Sequence, residues 1–189
     1  MAWFRKSALE PLAVTMAGVK LGDRLLVLGG SDTALAAALA AKSGLTGRAC
    51  VLDAAESVAR TVAAAVERQG ALVESFSGAW GMLPFEPHSF DVVVIRSVLE
   101  RLDAESRVRA LREAHRVLRP GGRTVVIEDT GRGGAAALFG GARRDAGYER
   151  SGGAGHALEA AGFRGVRPLA QREGQLFVEG IKAADPSPA

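Results

Sequence analysis

Short apolar runs rich in β-branched residues recur along this chain at RLLVLG, RACVLD, ALVESF, FDVVVI and RTVVIED, and longer segments of helical periodicity separate them. Repeated alternation of this kind builds a parallel sheet, because parallel neighbours need long crossover connections and those connections are usually helices. The run from Phe90 to Ile95 has almost no polar alternation, which predicts a central strand covered on both faces. The expected class is therefore α/β, a doubly wound and mainly parallel sheet flanked by helices.

Local signals fill in the connections. Between the fourth and fifth runs, Val108, Leu111, Ala114 or His115, and Leu118 fall three to four apart and mark one buried helical face. Glu105 with Arg109, and Arg109 with Glu113, line its exposed side at i,i+4 spacing. RPGG, 119–122, then stops the helix and turns the chain. Beyond Asp129 the composition changes to glycine, alanine and arginine without a sustained period, so 130–155 reads as a flexible, glycine-rich insertion, a mobile loop or a short, weak helix, that borders or covers a pocket. After it come a short helix at HALEAAGF and two strands in VRPLAQREGQLFVEGIKA joined by a turn at Glu173 and Gly174, a C-terminal antiparallel hairpin. Residues 1–21 are expected to form an N-terminal helical segment and 185–189 a frayed tail, all within one domain spanning 1–189.

Bulk properties narrow the function classes. A chain of 189 residues with 48% hydrophobic content can bury a sizeable core. No apolar run reaches the roughly 18 residues needed to span a bilayer. The lone cysteine, Cys50, forbids an internal disulfide and suits a reducing, cytoplasmic setting. A net charge of +3 with dispersed arginines and only 5% aromatic residues makes a weak nucleic-acid signal. MAWFRK pairs Trp3 and Phe4 with Arg5 and Lys6, a weak signal for membrane-surface contact against the simpler reading of aromatics packed on the domain. Nothing in the sequence fixes an oligomeric state.

RLLVLGGSDTALAAALAAKSG, 24–44, runs from an apolar strand through a glycine pair into an alanine-rich helix, as a nucleotide-binding strand, loop and helix does. Together with LPFEPHSFDVVVIRSVLERL and ALREAHRVLRPGGRTVVI in this order and spacing, it resembles the class I S-adenosylmethionine-dependent methyltransferases, especially the small-molecule enzymes of ubiquinone and menaquinone biosynthesis. The resemblance runs from about Gly22 to Glu128, with a weaker echo in LEAAGFRGVRPL and GQLFVEGIK. It implies a Rossmann-like fold, S-adenosylmethionine as cofactor and a small-molecule substrate. It places Gly29, Gly30, Ser31, Asp32, Asp53, Ala79, Trp80 and Arg96 around the cofactor.

Each of these residues has a physical reason and a plainer alternative. Glycines let the backbone approach a ligand and adopt positive φ. Asp53, at the end of the second strand, is placed either to accept hydrogen bonds from ribose hydroxyls or to cap the helix that follows. Asp32, with the hydroxyls of Ser31 and Thr33, either meets the cofactor's ammonium or caps its own helix. Trp80 can cover the adenine face. Arg96 stands at the mouth of the pocket, placed to meet an anionic substrate or the cofactor's carboxylate, with Glu100 as a surface salt-bridge partner in the plainer reading.

The chain also departs from the family pattern. Val27 stands where an acid is common, Ser31 and Thr33 where further loop glycines usually stand, and Ala79 where many relatives carry an aspartate for the adenine amino group. Loss of two charged hydrogen bonds would weaken cofactor binding by roughly 3–6 kcal/mol. That erosion motivates the alternative, a non-catalytic methyltransferase-fold binding or scaffold module; the basic balance alone suggests an RNA-associated enzyme. A carboxylate at Asp32 disfavours phosphate-bearing cofactors such as NAD, FAD or nucleoside triphosphates. His88, His115 and His156 show no metal-ligand spacing, and no protein nucleophile emerges, so the catalytic residues are unassigned and no metal is expected. His88 and His115 read first as turn and helix-surface residues and only secondarily as general bases.

Overall fold

The structure is a computed structural model that describes residues 11–130 and 145–184. Its strands and helices alternate in the order expected of crossover connections. These are α1 (Leu12–Ala17), β1 (Arg24–Leu28), α2 (Thr33–Ser43), β2 (Arg48–Asp53), α3 (Glu56–Arg68), β3 (Glu74–Ser77), β4 (Phe90–Arg96), α4 (Ala104–Val117), β5 (Leu118–Asp129), α5 (Ala146–Arg150), α6 (Gly153–Ala160), β6 (Arg164–Arg172) and β7 (Gln175–Ile181), with a 3-10 turn at Leu99–Arg101 after β4. The strands form one sheet in the order β3-β2-β1-β4-β5-β7-β6. β3, β2, β1, β4 and β5 run parallel, whereas β7 lies antiparallel between β5 and β6. β4 is interior, as its unbroken apolar run requires.

Period-two alternation splits the core into two layers. On β1, Leu25 and Val27 face the cluster containing Leu35, Leu39, Val62 and Val66 of α2 and α3. Leu26 and Leu28 face the cluster with Leu111 and Val117 of α4 and Leu158 of α6. Cys50 belongs to the second layer, and burial pushes its thiol up to about 11, so it packs as a small apolar side chain. Leu111, Ala114 and Leu118 of the expected face are buried, together with Arg107, Ala110 and Val117, and Val108 lies half-buried at the margin of that face. Arg109 pairs with Glu105 as expected, but Glu113 pairs with Arg116 at i,i+3 and accepts from the Leu83 N–H at 2.8 Å. The reason is the loop before β4, whose Leu83 and Phe85 carbonyls also accept from Arg116 and draw both side chains toward it.

The hairpin turn falls at Glu173 and Gly174, both at positive φ, with β6 as the sheet edge. Of the two readings of the glycine-rich stretch, the short helix describes 146–150 as α5, and the start of α6 is helical too; Tyr148 is at 2% exposure in the second core layer. The remainder of that stretch, 131–144, lies outside the described residues, as do MAWFRK at the N-terminus and the tail 185–189. Of the expected N-terminal helical segment, only α1 falls within them.

Ion pairs tie the strand starts together and set an acid sensitivity. Asp91 on β4 accepts from the Arg24 N–H at 2.8 Å and from the guanidinium groups of Arg24 and Arg119. Burial works to raise the Asp91 carboxyl, but these hydrogen bonds outweigh it and hold it below the usual carboxylate range. The Arg116 guanidinium lowers Glu113 against its burial in the same way. Both pKa values are depressed on folding, so their stabilisation is complete above the unfolded carboxylate value of about 4 and is lost as pH falls through the folded values. The thermal midpoint should therefore drop steeply below pH 4, and Asp91→Asn should flatten that drop. An equal drop in Asp91→Asn would remove Asp91 from the cause.

Candidate functional site

The carboxyl ends of β1, β2 and β4 open onto one cleft of about 250 Å³. This is where an open parallel sheet presents its loops to a ligand, at the point where strand order reverses between β1 and β4. Gly29, Ser31, Asp53, Trp80 and Arg96 all line it. Gly29 sits at φ +93°, and a Cβ there would lie 2.3 Å from the Arg96 carbonyl oxygen, so the first loop can pass this close to β4 only as glycine.

Asp53 does more than end its strand. One carboxylate oxygen accepts from the Gly30 N–H at 2.8 Å and the other from the Ala55 N–H at 3.0 Å, so the acid ties the glycine loop to the start of α3. Ala55 itself is the N-cap of α3 and contributes no side-chain bond, which explains why the alternative of simple capping by Asp53 does not describe the geometry. Gly30 is buried beneath this bond rather than lining the cleft.

Asp32 caps α2, accepting from the Leu35 N–H at 3.1 Å, and its other oxygen lies 3.5 Å from Arg96 Nε. Arg96 is a buried residue at 9% exposure, not a surface group, and its partners are Asp129, Asp32 and Ser97 rather than Glu100. The Asp129 pair is two-pronged, at 2.9 and 3.1 Å. Burial tends to raise the Asp129 carboxyl, but the hydrogen bonds and charge of Arg96 prevail and hold it below the usual range.

Ala79 is exposed and does not line the cleft, although its neighbour Trp80 does. Val27 is a core side chain at 2% exposure. The wall is completed by Ala54, Val58, Ser97, Val98, Arg101 and Leu102, none of which the sequence singled out. Ser97 carried a signal only in its backbone: it is a non-glycine residue at φ 51°, buried, with its hydroxyl 3.3 Å from Asp129. The histidines stand apart. His88 is exposed in a turn, His156 is exposed on α6, and His115 packs edge-on against Phe163 at 5.0 Å, where burial lowers its pKa. None lines the cleft, and among the described residues no group of acidic, histidine or cysteine side chains is arranged to hold a metal.

Fold and site together define a Rossmann-like domain with its ligand cleft at the strand ends. Residues 26–126 match the sequence profile of the family described as "Methyltransferase domain", and the chain belongs to that family. It is 30% identical over 118 residues to the ubiquinone/menaquinone biosynthesis C-methyltransferase UbiE of Hydrogenovibrio crunogenus, covering 61% of this chain and 46% of that one. Against the protein of the same name from Escherichia fergusonii it is 31% identical over 117 residues, with the same coverages. The chain thus spans about half the length of these curated relatives. Among solved structures, a SAM-dependent methyltransferase from Aquifex aeolicus superposes with a TM-score of 0.71 at 19% identity, over 89% of this chain and 86% of that one. The [4+2]-cyclase SpnF superposes with a TM-score of 0.69 at 18% identity, over 92% and 79%. These two share the fold, and the reactions in their names differ. No helix among the described residues is long and apolar enough to cross a membrane.

Proposed function

We propose that the protein is an S-adenosylmethionine-dependent methyltransferase acting on a small molecule in a reducing, cytoplasmic setting. The observation that carries this reading is the Asp32 carboxylate at the start of α2, bonded to the Leu35 N–H and facing Arg96. A dinucleotide or nucleoside triphosphate uses such a helix N-terminus for its phosphates, and a carboxylate already in place repels them. A nucleoside that carries a sulfonium and an ammonium but no phosphate meets no such conflict. The names of the curated relatives support methyl transfer.

The cleft has the chemistry to hold this cofactor. The bare backbone at Gly29 allows close approach, Asp53 is the acceptor for ribose hydroxyls, and Trp80 with Val58 and Leu102 supplies flat and apolar walls for the base. Ser31 lies beside Asp32 at the loop, and Arg96 borders the far side with its guanidinium fixed by two carboxylates. Ala79 leaves the base edge without the acid many relatives provide. When bound, S-adenosylmethionine supplies a methyl group activated by its sulfonium. The protein's part is then to align acceptor, methyl carbon and sulfur and to exclude water, which requires no nucleophilic side chain.

Trp80 gives a direct test. The chain has two tryptophans, so Trp3→Phe leaves Trp80 as its one fluorophore of that kind. Titration with S-adenosylhomocysteine should change its emission and give a matching calorimetric isotherm, and Trp80→Phe should abolish the optical signal. If neither S-adenosylmethionine nor S-adenosylhomocysteine gives heat or a spectral change, the methyltransferase reading fails and a non-catalytic binding module takes its place.

A further inference from the structure

Beyond the cleft, the ends of β5 and β6 and the start of β7 line a larger, half-open cavity of about 430 Å³ with α5 and the start of α6. That volume falls within the usual range for a small-molecule site. The Arg96–Asp129 pair stands between the two spaces, since Arg96 lines the cleft and Asp129 lines the cavity. The 3-10 turn divides in the same way, with Glu100 on the cavity and Arg101 on the cleft. A molecule in the cavity is therefore a neighbour of whatever fills the cleft.

The cavity wall has one sign of charge. Glu100, Glu128, Asp129 and Glu149 line it, and none of its described lining residues is basic. Asp129 is held by Arg96, and Glu128 accepts from the Tyr148 hydroxyl at 2.6 Å. Burial, and then the Glu128 charge, push the Tyr148 hydroxyl far above its ordinary range, so it remains a donor to Glu128. Glu100 differs. It is 6% exposed, and its Oε2 is buried with no hydrogen-bond partner among the described residues. The buried Arg107 guanidinium lies over the Tyr148 ring and donates to the Leu99 and Leu102 carbonyls and to Asp145. A buried carboxylate oxygen without a hydrogen bond is costly, and on a wall whose charged residues are all acidic it is best stabilised by a cation. Among the described residues no acidic cluster has metal-binding geometry, and the Tyr148 and Leu176 side chains add apolar surface, which suits an organic cation.

We propose that this cavity is the substrate site and that it takes a small molecule carrying a basic amine, whose ammonium is held by Glu100. The assignment as a substrate site rests on the methyltransferase reading; the amine preference rests on the cavity itself.

Calorimetric titration of the full chain with phenethylamine, 2-phenylethanol and 3-phenylpropanoate separates charge from shape, with and without saturating S-adenosylhomocysteine. Phenethylamine should bind at least tenfold tighter than 2-phenylethanol, and 3-phenylpropanoate should be the weakest. Glu100→Gln should erase at least tenfold of the amine's advantage and leave S-adenosylhomocysteine affinity unchanged. Equal binding of amine and alcohol overturns the proposal, as does an amine preference that survives Glu100→Gln, which would reflect diffuse surface charge. Should that variant fail to fold, the amine-to-alcohol ratio in the unaltered chain is read at low and high salt, where a preference that disappears at high salt reflects diffuse surface charge and overturns the proposal. Absence of S-adenosylhomocysteine binding would sink the cofactor reading separately, because the amine titration is also read without it.

Discussion

Gly29→Ala should lower the unfolding free energy by about 2–5 kcal/mol in urea titrations, the largest single-residue stability effect expected at the cleft. Two costs add. An alanine held at φ +93° sits in backbone space that L side chains rarely adopt, at roughly 1–2 kcal/mol. Its Cβ would also lie 2.3 Å from the Arg96 carbonyl oxygen and 2.9 Å from Val98 Cγ2, an overpacking cost of about 1–3 kcal/mol. The backbone oxygen cannot rotate away, since β4 is pinned in the sheet between β1 and β5. A loss below about 1 kcal/mol would mean that the first loop does not cross β4 this closely.

Asp53→Ala should weaken S-adenosylmethionine binding by about 1.5–3 kcal/mol, or roughly ten- to 150-fold, measured by calorimetry. The carboxylate has two functions here. Its oxygens already accept from Gly30 and Ala55, and each retains a lone pair for a ribose hydroxyl, so removal deletes a ligand contact and frees the loop that shapes the cleft. Asp53→Asn keeps an acceptor but loses the charge and should fall between. If Asp53→Ala lowers stability with the affinity unchanged, Asp53 is a loop tether only.

The sheet was legible because its signal is local: the β-branched runs of β1, β2, β4 and β5 can be buried on both faces only by helices, and the linking segments have helical period. The candidate cleft was legible where the constraint lies in a residue's own identity, as with Gly29 and Asp53 at strand ends. It was not legible where the constraint comes from a distant partner. Arg96 and Asp129 are 33 residues apart and meet because β4 and β5 are neighbours, so proximity in sequence pointed to Glu100 instead. Tyr148 is the same case from the other side. Its glycine-rich surroundings read as a loop or a weak helix with no buried face, and its partners Glu128 and Arg107 lie on elements that no local pattern connects to it.

The position of β7 has a consequence for how the chain is made. The apolar residues Val125, Val126 and Ile127 of β5 pair on one side with β4, synthesised earlier, and on the other with β7, synthesised near the end of this sequence. Until β7 has emerged from the ribosome, β5 presents a bare row of amide and carbonyl groups flanked by aliphatic side chains, the kind of edge that captures other nascent strands. Translation that stalls between β5 and β7 should therefore yield a sticky, chaperone-dependent intermediate. Arrival of the hairpin converts that exposed edge into an interior strand and moves the sheet's new edge to β6, which carries Arg164, Arg167 and Arg172 together with Pro168, residues that discourage further strand pairing.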